Sequence, residues 1–244
     1  MSNPQVFPTI EALGHSVAHW VAKLSQKAIA ARGRFIVALS GGSLPKIIGP
    51  ALVVEPLRSQ IEWSAWHVFW ADERCVPQTH PDSNYFVAKE YLFDQIPIPP
   101  AQIYNPNTAL DPAQTATDYQ HTLSYIFSTL RLSSPPSFDL ILLGLGEDGH
   151  TASLFPGHPL LQETERWVAP IFDSPKPPPE RITLTLPALN NAQAVGFITA
   201  GAGKADVLAQ IFGSPPVALP AQRVNPIKGE LHWFVDAAAA ARIA

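Results

Sequence analysis

The feature that most constrains this chain is a rhythm. Five compact apolar runs are spaced along it: FIVAL from Phe35, HVFWA from His67, FDLILLG from Phe138, VGFITA from Val195 and HWFVD from His232. Each has the length of a strand and is mostly apolar, the pattern of a strand covered on both faces. Between them, segments 84–94, 112–131 and 203–212 read as helices. The opening segment 10–31 places Ile10, Leu13, Val17, Trp20, Val21 and Leu24 at helical spacing, with Gly33 as a stop. Strands alternating with helices predict an α/β fold: a doubly wound, mostly parallel sheet with helices on both faces. A chain of 244 residues, 46% of them hydrophobic, suits one domain over residues 1–244. The proline-rich stretch Ser174 to Glu180 is too short to interrupt the rhythm and reads as an extended surface loop without a functional role.

Composition narrows the function. Sixteen basic and 20 acidic residues give a formal charge of −4 without long runs, so no electrostatic footprint for nucleic acid or an anionic membrane is present. A small anionic ligand remains compatible, and no obligate protein partner is expected. The single cysteine, Cys75, excludes an internal disulfide framework, and no His/Cys cluster has zinc-site spacing, so neither metal nor cofactor is expected. The first residues lack a basic region followed by an apolar one, and no run of about 18 apolar residues occurs, which points to the cytoplasm.

Polar signals fall at the carboxyl ends of four of the apolar runs, the edge where open α/β sheets bind ligands. Ser40, Gly41, Gly42 and Ser43 follow FIVAL, with Pro45 near a helical first turn. Glycines permit close backbone approach to an anion, and a helix start adds inward N–H groups, so this loop suits phosphate. An ordinary βα turn is the plain alternative. Asp72, Glu73 and Arg74 follow HVFWA, ahead of Pro81-Asp82-Ser83-Asn84-Tyr85 at a helix start. Arg74 suits a phosphate or carboxylate, and Asp72 suits a hydroxyl or a proton. A surface ion pair with helix capping by Asp82 or Ser83 is the alternative.

The third loop, Gly144 to Gly157 after FDLILL, reads GLGEDGHTASLFPG. It contains GxGxxG, but mid-chain and with Glu147 and Asp148 where a pyrophosphate would approach, which argues against a dinucleotide cofactor. Asp148 and His150 instead put a carboxylate and an imidazole two residues apart. His150 can take a proton from water near neutrality, with Asp148 orienting it or binding substrate. Last, the Gly201 to Lys204 turn after VGFIT puts an ammonium at a helix start, suited to phosphate, and Arg181 before ITLTL is a weaker cationic candidate.

In this order, SGGS-x-P, WADER with PDSNY, GLGEDGHTASLFPG and GxGK resemble the motifs of the 6-phosphogluconolactonases, a branch of the sugar-phosphate isomerase and deaminase superfamily. The resemblance spans residues 35 to 212 and implies hydrolysis of 6-phosphoglucono-1,5-lactone in the oxidative pentose phosphate pathway. It further implies that His150 activates water, that Asp148 and Arg74 belong to the substrate site, and that Ser40 to Ser43 with Lys204 bind phosphate. The related glucosamine-6-phosphate deaminases look similar at DGH but carry an acid five positions after that histidine. Here that position is Phe155, which favours the lactonase over a deaminase; a non-catalytic sugar-phosphate sensor is the other rival.

Overall fold

The computed structural model describes residues 3–132, 136–213 and 218–243. Among these described residues nine strands form: β1 Gln5–Phe7, β2 Phe35–Leu39, β3 Trp66–Trp70, β4 Asp72–Arg74, β5 Leu140–Leu143, β6 Val168–Ile171, β7 Arg181–Leu184, β8 Ala194–Thr199 and β9 Glu230–Asp236. The α-helices that join them are α1 Ile10–Arg32, α2 Leu44–Leu52, α3 Leu57–Gln60, α4 Asn84–Tyr91, α5 Pro112–Thr129, α6 Leu186–Leu189, α7 Ala205–Phe212 and α8 Pro220–Arg223. All five apolar runs are strands of one six-stranded sheet of order β1-β9-β8-β5-β2-β3, parallel throughout.

Alternating residues of the strands show what covers each face. Trp66 of β3 donates its indole N–H to Ser25 of α1 at 2.7 Å, and Phe234 of β9 packs against Trp20 of α1 with ring centroids 5.0 Å apart. Residues of opposite parity on the same strands point the other way. Phe69 meets Phe127 of α5 at 5.9 Å, and Trp233 meets Phe212 of α7 at 5.4 Å. Helices therefore lie on both faces, as the alternation predicts. The long helix α1 is pinned at both ends: Thr9 Oγ1 accepts from the Ala12 amide, and Gly33 closes the other end at φ 69°. A side-chain cap of this kind contributes about 1 kcal/mol.

Three features differ from the sequence reading. The helix expected over 84–94 ends at Tyr91, where the chain turns to bury Leu92 and Phe93 and continues as a single 3-10 turn, Phe93–Gln95. A short edge strand, β1, pairs with β9. Asp72 to Arg74, read as charges at the exit of a strand, form a strand of a second, antiparallel sheet of order β4-β7-β6, in which Asp72 lies opposite Thr183 and Arg74 opposite Arg181.

The chain order of the large sheet reverses between β2 and β5: β3 extends it to one side, while β8, β9 and β1 extend it to the other. A crevice opens at the carboxyl ends of strands at such a reversal, because the two flanking loops lead to opposite faces. The loops leaving β2 and β5 are Ser40–Ser43 and Gly144–His150.

Candidate active site

One cavity at this crevice is lined by Ser40, Gly41, Gly42, Ser43, Asp72, Arg74, His150, Arg181 and Lys204, with Gly144, Leu145, Gly146 and Ala152 completing its wall. All the residues singled out from the sequence except Asp148 thus face one space. A groove between α1 and α3 is larger, about 570 Å³ against about 190 Å³, but it gathers no comparable set of charges. Convergent chemistry rather than size identifies the site.

The phosphate-like loop is held by close packing. A Cβ at Gly41 would fall 1.8 Å from Asn84 Oδ1, so only glycine fits, and Gly42 sits at φ 66°. Among the described residues, the amides of Gly41, Gly42 and Ser43 donate to nothing, which leaves three N–H groups beside the start of α2 for an anion. Lys204 contributes its ammonium from a turn fixed by Asp236, whose Oδ1 accepts from the Gly201 amide at 3.0 Å.

Asp148 stands behind the imidazole rather than in the cavity. Its Oδ1 lies 2.5 Å from His150 Nδ1 and also accepts from the His150 amide at 3.1 Å. This fixes the ring and leaves Nε2 as its working edge. Partial burial pushes the Asp148 carboxyl up, but the bonds from the His150 ring and amide outweigh it and hold it below the ordinary range. Burial pushes the His150 imidazole down; the Asp148 bond and the charges of Asp148 and Asp72 oppose this, Arg181 adds to it, and the net shift is downward. The ring is therefore neutral near pH 7 and ready to accept a proton. Gly146 makes room for this pair, since a Cβ there would meet His150 Nδ1 at 2.0 Å.

Asp72 is nearly inaccessible and sits in a network. Ser153 donates to its Oδ2 at 2.8 Å, Ser40 to Oδ1 at 3.3 Å, and Asn84 Nδ2 to its carbonyl at 2.8 Å. Ser153 also accepts from Arg181 Nη1 at 3.4 Å. The Arg181 guanidinium is held by carbonyls of Lys176, Pro177 and Pro178, so the proline-rich stretch, expected to carry no function, positions a cation of the site. Burial and then the charge of Arg74 push the Arg181 guanidinium below its usual value. Ala152 lines the cavity at φ 47°, a left-handed conformation rare for a residue with a Cβ and common at functional sites.

The surface ion pair weighed for Asp72–Arg74 is not what forms. Glu73 is buried and accepts from the amides of Arg74, Asn84 and Tyr85 and from Ser83 Oγ, while Ser83 caps α4. Burial pushes its carboxyl up against those amide bonds. Arg74 donates instead to the Asp82 carbonyl at 2.7 Å, and among the described residues its buried Nε has no partner. Sequence reasoning gave no role to Ser153, Asn84 or Glu73; Asn84 stood within a quoted motif, but nothing in one sequence tells a buried bridge from a surface cap. Cys75 is half-buried, and burial pushes its thiol up to about 12, which leaves it without nucleophilic character. Among the described residues no three His, Cys, Asp or Glu side chains gather as metal ligands, and no helix is long and apolar enough to cross a membrane.

Comparison with known proteins agrees with this geometry. The family model described as glucosamine-6-phosphate isomerases/6-phosphogluconolactonase matches residues 8–233. The 6-phosphogluconolactonase of Rattus norvegicus is 45% identical over 237 residues, covering 96% of this chain and 91% of the rat protein. A protein of Oryza sativa named probable 6-phosphogluconolactonase 3, chloroplastic, is 44% identical, covering 95% of this chain and 73% of its own. The solved structure of 6-phosphogluconolactonase from Trypanosoma brucei superposes with a TM-score of 0.86 at 29% identity, covering all of both chains. The chain belongs to the glucosamine-6-phosphate isomerase and 6-phosphogluconolactonase family.

Proposed function

We propose that this protein hydrolyses 6-phospho-D-glucono-1,5-lactone to 6-phospho-D-gluconate, with water activated by His150. The observation that carries the reading is the single cavity in which a neutral imidazole, braced through Nδ1, faces free amides and three cations. The names of the rat, rice and trypanosome relatives support the same substrate.

In this reading the amides of Gly41 to Ser43, with Lys204 and Arg74, hold the phosphate and so fix the lactone carbonyl near His150. His150 Nε2 takes a proton from water as the oxygen bonds to the carbonyl carbon. Arg181, the cation whose charge acts on the imidazole, meets the developing oxyanion. As the intermediate collapses, the bond to the ring oxygen breaks and the imidazolium returns its proton there, opening the lactone. Asp148 keeps the imidazole in the tautomer this requires and does not itself touch substrate. Phe155 occupies the place of the deaminases' acid, so ring opening by isomerisation lacks a proton-handling partner. The lone cysteine suits a reducing compartment, and we assign the protein to the cytoplasm.

The test is the rate of lactone opening above spontaneous hydrolysis, measured with and without chelator. Chelator-resistant acceleration is expected, together with loss of about 10²-fold or more in kcat for His150→Ala while 6-phosphogluconate still binds. Full activity of that variant would remove His150 as the base.

A further inference from the structure

We propose that Phe155 is the positioning residue that holds the His150 imidazole and the Arg181 guanidinium on one wall of the cavity, so that base and cation address the same carbonyl. Phe155 is 1% exposed. Its ring centroid lies 4.6 Å from that of His150, tilted by 36°, and the guanidinium carbon of Arg181 sits 5.6 Å from the same centroid. One phenyl ring thus touches both groups.

Each group needs the restraint for a separate reason. The hydrogen bond from Asp148 fixes one edge of the imidazole, but a single in-plane bond leaves the ring free to swing about it; a contact across the ring face removes that motion. Arg181 is tethered through Nε and Nη2 to backbone carbonyls, whereas among the described residues Nη1 has only the long contact to Ser153. An aromatic face under the guanidinium steadies the plane of the fork by cation–π attraction. The phenyl ring also offers neither a hydrogen-bond donor nor a strong acceptor. A polar side chain in its place would draw His150 Nε2 or an Arg181 N–H toward itself and away from substrate.

The inference rests on the reading of His150 as general base. Charged groups facing the imidazole are Asp148 from its own loop, Asp72 and Arg74 from β4, Arg181 from β7 and Lys204 from the turn before α7. Removing the ring admits water to the imidazole and loosens Arg181, and both changes favour the protonated form. The acid limb of the pH–rate profile therefore moves to higher pH.

The experiment compares Phe155→Leu and Phe155→Met with the unaltered protein and with His150→Ala. For Phe155→Leu, kcat falls about tenfold or more, product affinity stays within about threefold, and the acid limb of kcat/KM shifts upward. Phe155→Met has nearly the volume of leucine, but its longer, unbranched chain and polarizable sulfur reach the imidazole and guanidinium, so it recovers part of the lost kcat and moves the limb part of the way back. An unmoved limb, a kcat within about twofold, or a loss confined to KM overturns the proposal. Circular dichroism monitors folding, and if the leucine variant does not fold the methionine variant is judged by the same limb and kcat criteria. An inactive His150→Ala with an unmoved limb in the Phe155 variants removes only the positioning claim; an active His150→Ala removes the base itself.

Discussion

Replacing Gly146 by alanine perturbs the placement of the base and its Asp148 brace while leaving the phosphate-binding loops unchanged. Gly146 is not among the residues at positive φ, so its backbone accepts a Cβ without strain. The added methyl carbon, however, would fall 2.0 Å from His150 Nδ1, 2.2 Å from Cε1 and 2.6 Å from Asp148 Oδ1. Restoring ordinary contact at about 3.4 Å moves the imidazole by about 1.4 Å, the difference between 3.4 and 2.0. That shift also breaks the 2.5 Å bond to Asp148. A displacement near 1 Å costs about 10²-fold in rate, or about 2.7 kcal/mol of transition-state stabilisation at about 1.36 kcal/mol per decade. The expected outcome is a kcat about 10²-fold lower with product affinity within about threefold, because the phosphate-binding groups lie on other loops. Initial rates of lactone opening, corrected for the spontaneous reaction, measure the first, and calorimetric titration with 6-phosphogluconate the second. A Gly146→Ala protein that folds and turns over within threefold of the unaltered enzyme would refute the claim that catalysis depends on this imidazole position.

Lys204→Ala removes one charge-assisted contact of about 1.5–3 kcal/mol, so KM rises about tenfold to hundredfold with kcat within about threefold; steady-state kinetics decide, and an equal fall in kcat contradicts a phosphate-binding role. Tyr119→Phe strips the hydroxyl that accepts from the buried Trp70 amide at 2.7 Å, leaving that donor unpaired at a cost of about 1–3 kcal/mol. Urea unfolding reads this as a lower midpoint with unchanged slope, and an unchanged midpoint shows that the hydroxyl adds nothing.

The large sheet was legible because its strands are buried on both faces, so Phe35–Leu39 and Leu140–Leu143 announce themselves as apolar runs. The site was legible for a related reason: polar residues directly after such runs must lie at the carboxyl edge, wherever the strands fall in the sheet. The small antiparallel sheet was not. Asp72, Glu73 and Arg74 carry no apolar periodicity, and their pairing with β7 is decided by residues more than 100 positions away. Nor could the role of Ser174 to Glu180 be read, since it acts through backbone carbonyls, which every sequence possesses. Gly146 was visible as a glycine, but the reason for it, a neighbouring imidazole and carboxylate, exists only in the folded loop.

The register of that small sheet sets Arg74 directly opposite Arg181. Like charges directly opposite in an antiparallel pair weaken it, and here the charge of Arg74 adds to burial in lowering the Arg181 guanidinium's hold on its proton. An anion lying between them cancels that repulsion. Ligand affinity and the cohesion of β4 with β7 are thus linked quantities: part of the binding free energy is spent on closing the ladder, and slower amide exchange in Glu73 and Ile182 would register occupancy of a pocket that neither side chain lines.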